Sequence, residues 1–418
     1  MRHDEVLARL QGLSRPVASR SSVPLHAAAG RILAQDVTAP RAIPALNNAA
    51  VDGFAFAASG LDPGAAVPLT VTGHIAAGAS PMTAPLPAGT AVRILTGAPV
   101  PDGCDTLIMQ EDVRLPDAPG GDPETARTIF LPAGWKPGAN VRPAGEDVAA
   151  GQTVARAGTR LRPVDLAAIA SVGTAQVACF DRLPVAIAST GNEVRAPGAP
   201  FTPGAVYDSN AALLTALVKA AGADPTHDGI WPDDRGMVRT RLQELSTQFP
   251  LIVTTGGASG SEADHVSAAL KSLGVRSVWR IAVKPGRPLC VGQIGESIVV
   301  GLPGNTVAVA VCALMYLWPM LGVLGGGDWR TPVPMPLRAN FAHPKRKMGR
   351  REYWRARRVT GPDGATWVEK FARDGSGLIS SLTFADGLIE IAEEMGGVAH
   401  GDTVQFIPFS AYGMAESI

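Results

Sequence analysis

The sequence predicts a multidomain protein of α/β and β type: a central α/β domain with a mostly parallel sheet, an inserted β lobe, a connecting domain and a C-terminal β-barrel. Three observations predict it. From about residue 176 to 328, apolar strand-like runs alternate with helical segments, the pattern of βαβ units. From 47 to 145, and again after Gly325-Gly326-Gly327, short strand-like runs stand between turn residues with only weak helix signals. At 418 residues the chain is too long for one core and should divide into roughly two to four domains.

Met1 to Gly12 reads as a charged amphipathic helix, with Val6, Leu7 and Leu10 on one face, and not as a signal peptide. Residues 21–46 and 146–175 flank the β lobe, and Pro163 to Val172 has helical character, so the flanks are expected to pair as a connecting domain. The lobe, residues 47–145, then becomes an insertion carrying VPLTVTGHI, AVRILTG, DTLIMQEDV and TIFLPA. In the α/β part, PVAIAST (184–190) runs into Gly191-Asn192-Glu193, LIVTT (251–255) runs into Gly256, and ESIVV (296–300) runs into Gly301-Leu302-Pro303-Gly304-Asn305. The segment Val307 to Leu324 reaches transmembrane length, but Pro319 interrupts it and Gly304-Asn305 start it as a strand-following helix, which favours a buried core helix. Residues 329–418 carry PMPLRANF, EYWRARRV, TWVEKFA and DTVQFIPF, the strands of the expected barrel.

Composition narrows the function. Hydrophobic residues make up 46% and charged residues 18%, and 37 basic against 37 acidic residues leave no net charge, which argues against a general nucleic-acid binder. Any positive patch must be local. Cys104, Cys179, Cys290 and Cys312 lie far apart in or beside apolar runs, as buried free thiols of a cytoplasmic protein do. The seven scattered histidines offer no metal-ligand spacing.

The most informative stretch runs from Gly256 to His265, between LIVTT and the helix-like AALKSLG. Its glycines let backbone approach a ligand, and a helix beginning near Ser261 presents unpaired N–H groups and a positive dipole end, which suits phosphate. Asp264 adds a carboxylate able to hold a metal ion. The same residues also read as a capping box, Ser261 with Asp264 three positions on, which only starts a helix. Repetition favours a ligand site: three strands end in glycine turns, and parallel strands gather ligands at their carboxyl ends, so the three loops are expected to converge on one crevice.

Lys284-Pro285-Gly286-Arg287 favours a type II turn whose ends lie within about 7 Å. At that range two cations repel by roughly 3 kcal/mol at an effective dielectric near 20, so the pair suits a cleft only with an anion between them; the other reading is a solvated hairpin tip. Acidic loop residues complete the inventory: Asp52, Asp147, Glu193, Asp208, Asp233-Asp234 and Asp264. Carboxylates beside phosphate loops suggest Mg²⁺. Each has a second reading, with Asp52 and Asp147 as turn residues, Asp208 capping the helix from Asn210, and Asp233 capping the next. The basic tract Lys345-Arg346-Lys347, Arg350-Arg351, Arg355 and Arg357-Arg358 reads as a solubilised edge strand, in which alternation lets only some cations face one ligand. Arg350 is the candidate anion contact, with Ser376 of Gly375-Ser376-Gly377 beside it.

Together, Asp52-Gly53-Phe54-Ala55, the run Arg93 to Pro101 (RILTGAPVP), Gly145-Glu146-Asp147, Ser189-Thr190-Gly191-Asn192-Glu193, Gly256-Gly257-Ala258-Ser259 with Glu262-Ala263-Asp264, Lys284-Pro285-Gly286-Arg287-Pro288 and Gly301-Leu302-Pro303-Gly304-Asn305 resemble the molybdopterin molybdenumtransferase family, bacterial relatives of the gephyrin E domain. The resemblance covers nearly the whole chain. It implies an enzyme that takes adenylylated molybdopterin and molybdate, releases AMP with Mg²⁺ and forms molybdenum cofactor, the pterin dithiolene and not a protein cysteine ligating molybdenum. It assigns catalysis to Asp52, Thr96, Asp147, Glu193, Asp233 and Asp264, with Glu193 and Asp264 on the metal. Substrate contacts fall to Gly256, Gly257, Ser259, Ser261, Lys284, Arg287, Pro303, Gly304, Asn305, Arg350 and Ser376, with Arg351 as a further cation. It also implies a four-domain layout: 1–20 with 176–328, 21–46 with 146–175, 47–145, and 329–418.

A cytoplasmic homodimer follows from the same resemblance, with Asp52, Asp147 and Arg350 acting across the subunit interface. Handover from the adenylylating enzyme and to molybdoenzymes is implied too, with no nucleic-acid or membrane partner. The chain departs from the pattern at Asn47, Ala49, Val51, Ser261 and Thr306, and the Thr306 change, where relatives carry proline, leaves the 301–305 loop as the least secure contact. Two other readings are adenylyl transfer to molybdopterin, which uses the same α/β fold without lobe or barrel, and a non-catalytic gephyrin-like scaffold.

Overall fold

The structure, a computed structural model, describes residues 1–116, 122–256 and 264–414. Contacts divide the chain into a unit of residues 1–35, 157–163 and 176–418 and a unit of residues 36–156 and 164–175.

In the first unit, among the described residues, a six-stranded sheet has the order Asp224–Trp231, Pro184–Thr190, Leu251–Thr255, Ser297–Leu302, Cys290–Ile294, Val275–Trp279. The first four strands are parallel, and Cys290–Ile294 runs antiparallel to both of its neighbours. Side chains alternate between the two faces with period two, and both faces are buried. Val185, Ile187, Leu251, Val253, Ile298 and Val300 join one apolar cluster; Ala186, Ala188, Ile252 and Val299 join the other. Burial on both sides is why these strands read as unbroken apolar runs. Helices Arg235–Ser246 and His265–Leu273 cover the second face through Val238, Leu242, Val266 and Leu270.

The first face packs on helix Ser209–Ala220 and on the long apolar helix from Thr306 to Leu324, which has a wide turn of π type over Ala313–Leu317. That helix is long and apolar enough to cross a membrane, yet it is mostly buried inside the protein, the core-helix outcome expected of its position after a strand. Each fully buried Val or Leu on it stabilises the fold by roughly 1.5–3 kcal/mol. The N-terminal helix, His3–Leu13, buries Val6 and Leu10 in the same cluster and adds His3, which periodicity alone did not place inside.

Strands Met335–Ala339, Arg351–Thr360, Thr366–Lys370, Gly387–Ile391 and Thr403–Pro408 form a closed barrel, since Arg351–Thr360 pairs with both Thr366–Lys370 and Gly387–Ile391. Gly387–Ile391 is a strand the sequence reading did not single out. Trp354, Val368, Ile389 and Phe406 fill the interior.

The second unit holds a five-stranded sheet in the order Thr106–Met109, Gly53–Phe56, Thr90–Ile94, Val67–Ile75, Thr128–Leu131; four of these are the runs expected of the β lobe, and Gly53–Phe56 is a strand not expected from the sequence. Phe54, Phe56, Leu69, Ile129, Leu131 and Trp135 pack on one side, and Ala55, Ile94 and Leu107 on the other. Gly53 is obligatory here, since a Cβ would meet the Ile108 carbonyl oxygen at 1.9 Å.

Candidate functional site

A cavity of about 780 Å³ lies in the first unit, walled by residues 280–288, Pro303 and Asn305, residues 347–350 at the mouth of the barrel, and Asp374–Ser376. Strand pairing assembles it. Val283–Lys284 leaves the α/β fold and pairs in parallel with the long barrel strand, Val283 opposite Arg351 and Lys284 opposite Glu352. The 284–287 segment is not the expected type II turn, because the Lys284–Pro285 bond is cis. Gly286 has φ +125°, and a Cβ on it would fall 2.5 Å from the Sγ of Cys312, a buried thiol that donates to the Gly286 carbonyl at 3.6 Å.

The 301–305 loop closes the opposite wall. Asn305 Nδ2 donates to Ser376 Oγ at 3.0 Å, and Val307 N donates to the Ser376 carbonyl at 3.3 Å, clipping the Gly-Ser-Gly turn to the start of the apolar helix. The Thr306 hydroxyl lies 2.7 Å from Ser209 Oγ, while Asn210 Nδ2 donates to the Gly304 carbonyl at 2.7 Å. Side-chain hydrogen bonds thus anchor the 301–305 loop. Lys284, Arg287, Pro303, Asn305, Arg350 and Ser376 all line the one cavity.

Its charge is strongly one-sided. Arg280, Lys284, Arg287, Lys347, Arg350 and Arg355 line it, against the single carboxylate of Asp374 among the lining residues. Lys370 Nζ donates to Asp374 Oδ1 at 2.7 Å and Lys284 Nζ lies 3.8 Å from Oδ2. Burial raises the Asp374 pKa, but Lys370 and Lys284 prevail and hold it below the ordinary carboxylate range. Beneath the floor, Glu352 is 2% exposed. It accepts from Trp354 Nε1 at 2.9 Å and Arg350 Nε at 3.0 Å, with Lys284 Nζ 3.8 Å away. Burial again raises its pKa, and the Trp354 hydrogen bond with Lys284 and Arg350 more than offsets this, so it stays ionised.

Arg351, expected beside Arg350 as an anion contact, points to the other face of the strand. It pairs with Glu390 and Glu393 at 3.0 Å each, as period-two alternation requires. Glu352, Asp374 and Arg280 were not singled out from sequence; the acid inside a basic tract was the signal available for Glu352.

A second group forms where the parallel strands end. Gly191 N donates to the Trp231 carbonyl and Gly256 N to the Leu302 carbonyl, both at 3.1 Å, and Thr190 Oγ1 donates to the Thr255 carbonyl at 3.1 Å. Gly256 has φ +81°, and a Cβ there would lie 2.6 Å from Thr190 Oγ1, while Gly304 abuts the Gly256 Cα. Asn192 N donates to Asp233 Oδ2 at 3.3 Å, and Asp233 N donates to Asn192 Oδ1 at 3.1 Å.

Asp233 is therefore not the helix cap expected of it. Asp234 caps Arg235–Ser246, accepting from Met237 N at 2.6 Å, because the Asn192 bridge ties the preceding carboxylate to the neighbouring strand end. Glu193 is exposed, its carboxylate folded over Gly191 where a Cβ would sit 2.6 Å from Oε2. Asp208 caps its helix as expected, accepting from Ala211 N at 2.9 Å. Asp264 is itself the N-cap of His265–Leu273, accepting from Ser267 N at 3.1 Å, so that helix begins later than Ser261. Gly257, Ser259 and Ser261 lie outside the described residues. Neither Glu193 nor Asp264 lines the large cavity, and among the described residues no group of three or more His, Cys, Asp or Glu is arranged to hold a metal ion.

In the second unit, Thr96 donates to Asp52 Oδ1 through both its backbone N and its Oγ1, each at 2.7 Å. These bonds, the hydroxyl first, lower the Asp52 pKa and keep the exposed carboxylate ionised. Segment 47–50 is braced from two sides: Ala49 N donates to the Ala98 carbonyl, Ala50 N to the Asn140 carbonyl, and Asn47 Oδ1 accepts from Ala144 N at 2.9 Å. Asn47 thus has a structural role in this brace. Asp147 is exposed, with its backbone N donating to the Ile43 carbonyl at 3.0 Å.

Comparison with known proteins places this geometry. Residues 1–173 match the family described as MoeA N-terminal region (domain I and II), residues 186–322 a probable molybdopterin binding domain, and residues 338–409 the MoeA C-terminal region (domain IV). The chain is 34% identical over 387 residues to the molybdopterin molybdenumtransferase of Haemophilus influenzae, covering 92% of this chain and 93% of that protein. It is 33% identical over 414 residues to molybdopterin molybdenumtransferase 2 of Mycobacterium tuberculosis, covering 96% and 97%. Its fold is similar to that of a molybdopterin biosynthesis MoeA protein from Pyrococcus horikoshii, with a TM-score of 0.80, 27% identity, and 98% and 99% of the two chains covered.

Proposed function

Because this chain belongs to the molybdopterin molybdenumtransferase family and is an enzyme of molybdenum cofactor biosynthesis, we propose that its large cavity receives molybdate, which the enzyme inserts into adenylylated molybdopterin with release of AMP. The single observation that carries this reading is the charge of the cavity, six cationic side chains facing one carboxylate. A small oxyanion is held by that arrangement through charge-assisted hydrogen bonds, and the planar Arg287 and Arg350 guanidinium groups suit two-point contact with its oxygens. Lys284 supplies a point charge, and Asn305 with Ser376 supplies neutral polar contacts. The pterin end of the substrate brings its own soft sulfur ligands to molybdenum.

The nucleotide end is assigned to the strand-end crevice. Gly256 and Gly304 let backbone approach there, and Glu193, next to Asn192 in the chain, with Asp233, hydrogen-bonded to Asn192, supplies carboxylates. That donor set fits Mg²⁺, which takes one or two carboxylates and leaves the other positions to phosphate and water. When bound, the ion would neutralise the phosphoanhydride whose cleavage frees AMP. Asp264 borders the same crevice in this reading. Asp52, with Thr96 fixing it, and Asp147 are proposed to complete the site from the other subunit of a homodimer; Arg350, expected to act across the interface with them, lines the cavity beside Lys284 of its own chain and is proposed to act there instead.

AMP release from adenylylated molybdopterin tests the reading. AMP is expected only when molybdate and Mg²⁺ are both supplied. Equal release without molybdate would show a plain hydrolase instead.

A further inference from the structure

We propose that Glu352 is a positioning residue for the oxyanion pocket: its buried carboxylate fixes Lys284 and Arg350 in the arrangement that receives the substrate. The inference rests on the reading of the cavity as the oxyanion site. Glu352 does not line the cavity, so it acts through its neighbours.

Each of its oxygens has a defined task. Oε1 takes Arg350 Nε at 3.0 Å and lies 3.7 Å from Arg346 Nε, while Oε2 takes the Trp354 indole at 2.9 Å and lies 3.8 Å from Lys284 Nζ. Strand register puts Lys284 directly opposite Glu352, so the pairing is built into the sheet and does not depend on a flexible loop. Arg346, its side chain 2% exposed, also donates to the Ala392 carbonyl at 2.7 Å and to the Arg350 carbonyl, holding the backbone that presents Arg350.

Without this carboxylate, Lys284 and Arg350 repel each other and turn towards solvent. With it, their rotamers are ordered before the ligand arrives, and less freedom is lost on binding. Glu352 also orients the Arg350 guanidinium by engaging Nε, the edge that a forked oxyanion contact leaves unused.

Asp374 supplies the control that separates position from charge. It lies as far from Lys284 as Glu352 does, 3.8 Å, but it lines the cavity and is tied to Lys370 instead of Arg350. Removing negative charge alone strengthens anion binding, whereas losing the arrangement of the cations weakens it.

The test is calorimetric titration of the full-length protein with molybdate, alongside steady-state AMP release. Glu352→Gln is expected to weaken molybdate binding about tenfold and to raise KM for molybdate while kcat at saturation holds. Asp374→Asn, which leaves the Arg350 Nε bond in place, is expected to weaken molybdate binding less than Glu352→Gln does. Glu352→Asp, which keeps the charge on a shorter arm, is expected to be intermediate, and it carries the test alone if the glutamine variant fails to fold. Unchanged or tighter binding in a folded Glu352 variant overturns the proposal. A wild-type protein that does not bind molybdate overturns both this inference and the cavity reading. Wild-type binding that is lost in Arg350→Ala but unaffected by Glu352→Gln overturns this inference alone.

Discussion

Two adjacent arginines give the sharpest test of the cavity. Arg350 and Arg351 are identical in charge and neighbours in sequence, but alternation sends one to the large cavity and the other to Glu390 and Glu393. Arg350→Ala removes a guanidinium whose Nε is committed to Glu352, so the loss to the substrate is the remaining forked contact. Charge-assisted hydrogen bonds contribute about 1.5–3 kcal/mol each, and the side chain is 36% exposed, so solvent discounts the pair to about 2–3 kcal/mol in total. That corresponds to a molybdate Kd raised about 30- to 150-fold.

The fold should survive, because Glu352 retains Trp354, Arg346 and Lys284. Arg351→Ala leaves Glu393, its side chain 5% exposed, without its cation, and this should cost about 3 kcal/mol of stability or more with molybdate affinity unchanged. Titration calorimetry and thermal melts on both variants decide the matter. If Arg350→Ala binds molybdate like the wild type, or if Arg351→Ala loses binding at an unaltered Tm, the assignment of faces is wrong.

Three further outcomes follow from the geometry. Burial first, and then the Arg351 charge, lowers the His3 pKa from 6.5 to about 4, and the ring lies 2.9 Å from Tyr316 Oη. The folded state therefore resists protonation: the His3 contribution is complete above about pH 6.5 and lost as pH falls towards 4, about 3 kcal/mol in all. Denaturant melts between these pH values should show that loss in the wild type and a shallower one in His3→Gln. Gly256→Ala forces a left-handed residue against Thr190 and should destabilise the α/β sheet by about 3 kcal/mol while abolishing turnover; a fully active, equally stable variant would mean the turn relaxes freely. Asp52→Asn keeps an acceptor for Thr96 but loses the charge, so activity should fall at unchanged Tm. Mixing it with Arg350→Ala should restore about a quarter of wild-type activity if the two residues meet across a twofold dimer, and none if each subunit is self-contained.

Much of the architecture is legible in the sequence. PVAIAST and LIVTT became strands Pro184–Thr190 and Leu251–Thr255 without a residue's shift, because strands buried on both faces leave an unbroken apolar signature. The glycine turns were legible for a similar local reason, since Gly256 and Gly286 occupy backbone conformations that side chains rarely adopt. Strand Asp224–Trp231 was less visible: it sits at the sheet edge with polar Thr226, His227 and Asp228, so it lacks the apolar run. The caps moved: Asp234 takes the place expected of Asp233, whose carboxylate is held by Asn192, and Asp264 itself caps the helix that begins at His265.

What the sequence determined by itself was the set of local preferences: which segments are strand or helix, where the backbone must be glycine, and which family motifs are present in which order. Which cations would face one another was decided only by the tertiary structure. A periodicity of two says that Arg350 and Arg351 part company, but not which of them finds a cavity. That choice depends on the parallel pairing of Lys284 with Glu352, a contact between residues far apart in the chain. Long-range register is set by the sum of packing over the whole barrel, and charge at a distance acts only once that packing has fixed the separations.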